Sequence, residues 1–535
     1  MKARHLIPFV SAALLALAPG APAPLLEEAF LQPPPDTRPG CYWYWINDNV
    51  SKEGITRDLE VMARVGIGRA YIGHIFGQGN RWETPVGKVP FMSDAWWEAL
   101  QWAVKEADRC GVEIGFFNSP GWSQSGGPWV KPSQSMRYLA ASETVIEGGR
   151  RIEQVLPVPA ITTAPMAGGS KPEATGPKFT EKDFQDVRVI AFRQPETEAN
   201  EIDMGRVKSS SPDIKPLAIL LDNSAATSVK IGAKPRQIDF ELNGTPPVQS
   251  LRIDLMDQLY TLTCVVSASD DGRTFRELAR HVEQRGHQGP RNKDPMLIPF
   301  PETKAKHLRV TLSASREVPI AGLALSRRAV IGHHVRKQLG ETSPSVRPPW
   351  DSYVWANQPV PSPGSVVDSA TVVDLTDKTG TNGKLAWDAP PGRWVVMRSG
   401  MIPIGTQCAP ASPQSRGLEV DKMSKEHIRA LFDGMVGEFL RRTPPQDRKA
   451  LKYVIADSYE TGPQNWTDGL VEKFEKRFGY SPARFLPCLS GRVIDSPEIS
   501  TRFLWDWRRL IAEAIATEYV GGLREVTNQY GLTLW

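Results

Sequence analysis

A chain of 535 residues exceeds what one hydrophobic core ordinarily spans, so two or three domains are expected. With 40% hydrophobic and 23% charged residues it has the composition of a folded protein and not of a disordered one. The formal charge of +4, part of it from Lys2 and Arg4 at the N-terminus, leaves no basic footprint for nucleic acid or an anionic lipid surface.

The chain opens on MKARHLIPFVSAALLALAPGAPA: a short basic stretch, an apolar run, then small residues. That is the pattern of a secretory signal peptide, assigned to residues 1–24, and the run is too short to cross a membrane. No later segment approaches the roughly 18 uninterrupted apolar residues of a spanning helix, so the mature chain is expected to be exported, periplasmic or extracellular, without a membrane span. Residues 25–141 alternate strand-like and helix-like stretches: CYWYWI, SKEGITRDLEVMARVG, IGRAYIGHI, SDAWWEALQWAVKEADRCG with Ser93 as N-cap and Gly111 past its end, and VEIGFFNSP. This alternation predicts a parallel α/β arrangement.

Over 142–400 the rhythm changes to short strand candidates such as RVIAF, QIDFEL and HLRVTLSA, with Asp271-Gly272 marking a hairpin, so an all-β sandwich insertion is expected. The α/β rhythm returns over 401–535. There RGLEVDKM reads as a fourth barrel strand, Ser424 caps a helix, LKYVIADSYE is a fifth strand, and GLTLW starts a strand with neither partner nor continuation. The predicted fold class is α/β: a (β/α)8 TIM-type barrel interrupted by a β-sandwich, with about six of the eight strands present and the chain truncated at its C-terminus.

In such a barrel the chemistry collects at the C-terminal ends of strands. Asn47 and Asp48 follow the first apolar run, His74 ends the second, and Asn118, Trp122, Ser123 and Gln124 follow the third. Glu419 and Asp421 lie in the fourth, and Asp457 and Glu460 follow the fifth. Amides and carboxylates hydrogen-bond hydroxyls while Trp faces cover C–H surfaces, so the set suits a neutral, hydroxyl-rich ligand. Trp43, Asn47, His74, Asn118, Trp122, Asp457 and the amides Gln464 and Asn465 are therefore assigned to substrate. Each taken singly is as well explained as a cap or turn former.

Glu460, past a strand tip and partly desolvated, is the candidate catalytic acid, with capping of the following helix an equal reading. Glu419 and Asp421 share one face of a strand and are assigned to a hard-cation site, with an ion pair to Lys422 or Arg416 at least as good an account. The eight His show no HxH or i,i+4 pair and the five Cys no CxxC, so neither zinc-ligand spacing nor a disulfide framework is present. GxSxG and GxGxxG are absent as well, and no organic cofactor is expected.

GCYWYWIND, FFNSPGWSQSGGPWV, RGLEVDKM and DSYETGPQNWT stand in an order and spacing that resemble glycoside hydrolase family 106, the α-L-rhamnosidases, over most of the chain. The resemblance implies a (β/α)8 catalytic barrel with β-sandwich insertions. It also implies inverting hydrolysis of terminal α-L-rhamnose from plant-type oligosaccharides, polysaccharides or glycosides, with a calcium ion near the sugar. Glu460 matches the family's catalytic acid, and SASDDGRTFREL with LRVTLSA is similar to galactose-binding-like sandwich domains. In similar proteins further strands bring a second catalytic carboxylate, which the chain ending at Trp535 would lack. A non-catalytic sugar-binding protein, or a glycosidase for another sugar, are the alternatives.

Overall fold

The computed structural model describes residues 26–77, 84–161, 179–198, 202, 206–209, 217–222, 227–256, 260–285, 294–338, 357–459 and 464–535. The signal-peptide assignment and Glu460 lie outside the described residues.

Strand β1 (Gly40–Ile46), helix α1 (Lys52–Arg64), strand β2 (Arg69–Ile75), helix α2 (Asp94–Cys110) and strand β3 (Glu113–Phe117) open the fold. Ser51 and Ser93 cap the two helices by accepting from the backbone N–H groups of Gly54 and Trp96, and Gly111 ends α2 in the left-handed conformation. After the long insertion come a helix that starts at Lys425 with Ser424 as its cap, then β4 (Leu451–Ile455) and β5 (Thr533–Leu534). The five strands form one all-parallel sheet in the order β1-β2-β3-β4-β5.

Consecutive parallel order is what the wall of an incomplete barrel needs, while the expected count of about six strands and one strand assignment are corrected. Among the described residues there are five parallel strands, with β1 and β5 as open edges and no closure. RGLEVDKM is not a barrel strand: only Leu418–Glu419 is extended, and it pairs antiparallel with Gly126–Gly127. The close approach explains this, because a Cβ on Gly417 would lie 1.9 Å from the carbonyl oxygen of Gly127. GLTLW does have a partner, since Thr533 and Leu534 pair with Tyr453 and Val454, and the Trp535 N–H donates to Val454 O at 2.8 Å.

The insertion holds two β bodies. Sheets of five and four antiparallel strands, from 206 to 326, pack around Ile238, Phe240, Leu251, Val266, Phe300 and Val310 as a sandwich. Its Asp271-Gly272 hairpin forms as expected, with Gly272 at φ 69° and Asp271 accepting from the N–H groups of Arg273 and Thr274. A second antiparallel sheet is built on Arg137–Glu147, Gln185–Arg193 and Arg393–Pro403, so the bounds of the insertion read at 142 and 400 fall inside two strands paired with each other. No described helix is long and apolar enough to cross a membrane, and all five cysteines are free thiols.

Alternation in β1 divides its aromatics. Trp43 and Trp45 are buried against the helices with Leu59, Trp96 and Leu100, while Tyr42 and Tyr44 point to the opposite face. That face carries Tyr71 and Ile75 from β2, Phe117 from β3 and Ile455 from β4.

Candidate active site

Asp457 follows β4 on the Tyr42 face and is held at both carboxylate oxygens. Tyr42 Oη donates to Oδ2, and Gln124 Nε2 donates to Oδ1 at 2.7 Å. The Gln124 amide also accepts from the Asp457 N–H at 2.9 Å, so one side chain fixes the carboxylate and its backbone together. Burial and the bond to Asp457 raise the Tyr42 phenol well above its ordinary value, so it remains a proton donor to the carboxylate.

Around Asp457 stands an aromatic wall. Tyr42 stacks on Tyr44 at 5.5 Å, Trp122 meets Tyr44 edge-on at 5.2 Å, and Trp535 stacks on Tyr71 at 4.9 Å. Tyr42, Tyr44 and Trp535 are 40, 38 and 48% exposed, a large aromatic surface for one sheet face. Two glycines make room beneath it. A Cβ on Gly73 would lie 2.9 Å from the Phe117 ring, and one on Gly115 2.8 Å from the Tyr71 ring.

A second group lies at the ends of β1, β2 and β3. Asp48 Oδ1 and His74 Nε2 are 3.5 Å apart and both side chains are buried. Burial pushes His74 down to about 3, so the imidazole is neutral, and it raises Asp48 despite a bond from the Phe91 backbone. Both ring nitrogens of His74, Asp48 Oδ1 and Asn118 Oδ1 are buried without a hydrogen-bond partner among the described residues, which fits atoms placed to meet a ligand. Asn47, Asp48 and Gln124 have positive φ (53°, 59° and 53°), and strained non-glycine backbone of this kind concentrates at functional sites.

Glu419 and Asp421 form a third, fully buried group. Ser123 and Ser125 each donate to Glu419 at 2.5 Å and Lys422 Nζ lies 3.0 Å away, while Gln124 between the two serines turns to Asp457. Burial raises the Glu419 carboxyl, but the Lys422 charge and the serine hydroxyls outweigh it and hold it below its ordinary value. Asp421 accepts from Arg137 at 3.0 Å, Thr467 at 2.6 Å, the Met423 N–H at 2.9 Å and Gln464. Both charges are matched by fixed cations and all four oxygens already accept, so this donor set does not fit a calcium ion. The ion-pair alternative is what the fold builds, with Lys422 for Glu419 and Arg137, not Arg416, for Asp421.

Of the residues assigned to substrate, Asp457 and Trp122 meet on the aromatic face and Asn118 follows β3, while His74 packs on Phe91 and Trp96 on the helix-covered face. Trp43 faces α1, where its Nε1 donates to Asp58 at 3.0 Å. Asn47 braces the following loop through Thr84 O and the Gly77 N–H. Gln464 is spent on Asp421 and the Lys422 N–H, and Asn465 on the Leu139 N–H and Gln338. Sequence reasoning missed Tyr42, Tyr44 and Trp535. The strict alternation of CYWYWI carried the signal for the first two, but with aromatics on both faces it could not say which face was inner.

The sequence profile described as alpha-L-rhamnosidase, glycoside hydrolase family 106, matches residues 31–535. The rhamnosidase from Novosphingobium sp. PP1Y superposes with a TM-score of 0.80 at 29% identity, covering 96% of this chain and 47% of that one. A protein of Formosa agariphila provisionally named a β-glucuronidase is 26% identical over 508 residues, 95% of this chain and 30% of its own length. The chain thus spans less than half the length of either relative.

Proposed function

Since the chain belongs to glycoside hydrolase family 106, we propose that it binds and hydrolyses terminal α-L-rhamnosides at the C-terminal ends of its parallel strands. One observation carries the reading: an exposed aromatic wall surrounds a carboxylate locked at both oxygens by Tyr42 and Gln124. Rhamnose is neutral and carries apolar C–H and methyl surface beside its hydroxyls, which suits rings next to a fixed acceptor. A glucuronide, as in the name of the Formosa relative, would need a cation for its carboxylate. Lys422 and Arg137, the cations of the carboxylate groups described above, are engaged by Glu419 and Asp421.

In the proposed mechanism Glu460 donates its proton to the glycosidic oxygen as the C–O bond breaks. The role comes from the family resemblance and from its place three residues beyond Asp457. Asp457 orients a sugar hydroxyl, and Tyr42 and Gln124 keep it from rotating. An inverting reaction also needs a second carboxylate that activates water as general base. Export as an extracellular or periplasmic enzyme is part of the same proposal.

The test is rhamnose release from 4-nitrophenyl α-L-rhamnopyranoside by a version extended to full family length. Turnover lost in Glu460→Gln with binding retained supports the reading. A folded protein that binds rhamnosides equally well with or without Glu460 and never turns them over would make it a carbohydrate-binding protein instead.

A further inference from the structure

The sandwich holds a cluster that the hydrolytic site does not use. His281 and Glu283 lie two apart on the strand Arg276–Arg285, so they share one face, and both are buried (6% and 1% exposed). Their cross-strand neighbours, Cys264 and Leu262, are fully buried, so the cluster's floor is apolar. His333 reaches them from a distant part of the chain, at the turn before the helix His334–Gln338, with a left-handed backbone (φ 54°). His281 Nε2 is 2.8 Å and His333 Nδ1 3.3 Å from the same oxygen, Glu283 Oε2, and the two imidazoles stack at 3.9 Å, 17° from parallel.

We propose that His281, Glu283 and His333 form a binding site for a zinc-class divalent cation that ties the edge of the sandwich to the segment leading into the helix His334–Gln338. The residue types are those zinc takes, two imidazoles and one carboxylate, and three protein ligands leave the fourth position to water. With metal–ligand bonds of about 2.0–2.1 Å, tetrahedral donors sit about 3.3 Å apart. Here the three donor atoms lie within 4.8 Å of one another, two of the separations being 2.8 and 3.3 Å, and closing on one ion requires the two rings to tilt out of their stack so that both lone pairs converge. The neighbouring Lys337 ammonium is turned to Thr501 Oγ1 at 3.4 Å.

The location gives the ion a structural role. Just before His333, Val330 bridges to Arg492 and the Ile331 N–H donates to Gly491 O at 2.8 Å, while Gly491 packs against Leu297 of the sandwich. An ion held by His281, Glu283 and His333 would fasten the edge strand to this seam. Spacing rules overlook the set because its third ligand comes from another element.

The experiment takes the whole 535-residue chain, strips it with a chelator and titrates it with zinc chloride against a chromophoric competitor, alongside thermal melts. The expected result is about one zinc per chain retained through gel filtration, with a higher Tm in its presence. Glu283→Gln keeps the side-chain shape and should weaken zinc binding by more than the roughly 10- to 100-fold typical of losing an outer-shell partner. The double variant His281→Asn, His333→Asn should retain none. Zinc held equally by wild type and Glu283→Gln, or no zinc held by the wild type, would overturn the assignment.

Discussion

Gln124 does more positioning than any other single residue at the strand ends. Its backbone is held at φ 53°, its amide fixes Asp457 twice, and the serines on either side bind Glu419. Gln124→Ala should therefore raise KM for a rhamnoside while changing stability by less than Glu419→Ala, which strands a buried Lys422; steady-state kinetics and urea melts separate the two. Tyr44→Ala removes platform area, and rhamnose affinity should fall about tenfold, roughly 1.4 kcal/mol, by calorimetry. His74 supplies a pH signature. Its folded value near 3 lies below the ordinary 6.5, so the unfolded state binds more protons between those values and stability falls as pH drops below 6.5. The slope is at most about 1.4 kcal/mol per pH unit and should flatten in His74→Asn. Asp48, raised by burial, acts in the opposite sense at lower pH, so the effect is read just under 6.5.

Within the elements, what was legible in the sequence followed local rules and what was not depended on partners far along the chain. Ser93, Gly111 and Ser424 act as the caps their positions announce, because capping is decided within a turn. LKYVI became a strand with Asp457 at its tip as its apolar run suggests. RGLEVDKM misled because its alternation is that of a strand, while Arg137 and the glycines at 126 and 127, which settle its fate, lie elsewhere. The inner face of β1 was hidden for the same reason: Gly73 and Gly115 declare it only once the strands are side by side. Gly115→Ala should overpack Tyr71 and Ile455 and cost about 1–3 kcal/mol, seen as a lower denaturation midpoint. An unchanged midpoint would show that the face is looser than its geometry implies.

At the scale of the whole molecule the parallel sheet is covered on one face by helices and bears exposed aromatics on the other. Parallel sheets are ordinarily covered on both faces, and exposed edges recruit partners. The 535-residue chain should therefore self-associate with rising concentration in light scattering; a monomer with a sharp cooperative melt would contradict that. Its match to family 106 over residues 31–535 makes rhamnoside hydrolysis the activity to test, and the aromatic wall beside Asp457 the place to look. The most direct measurement is rhamnose release by the version of full family length, wild type against Glu460→Gln. Turnover by the wild type, and its loss with affinity intact in the variant, is the predicted result. Equal turnover by both would remove Glu460 from the mechanism, and no turnover by a folded wild type on any rhamnoside would contradict the proposed activity itself.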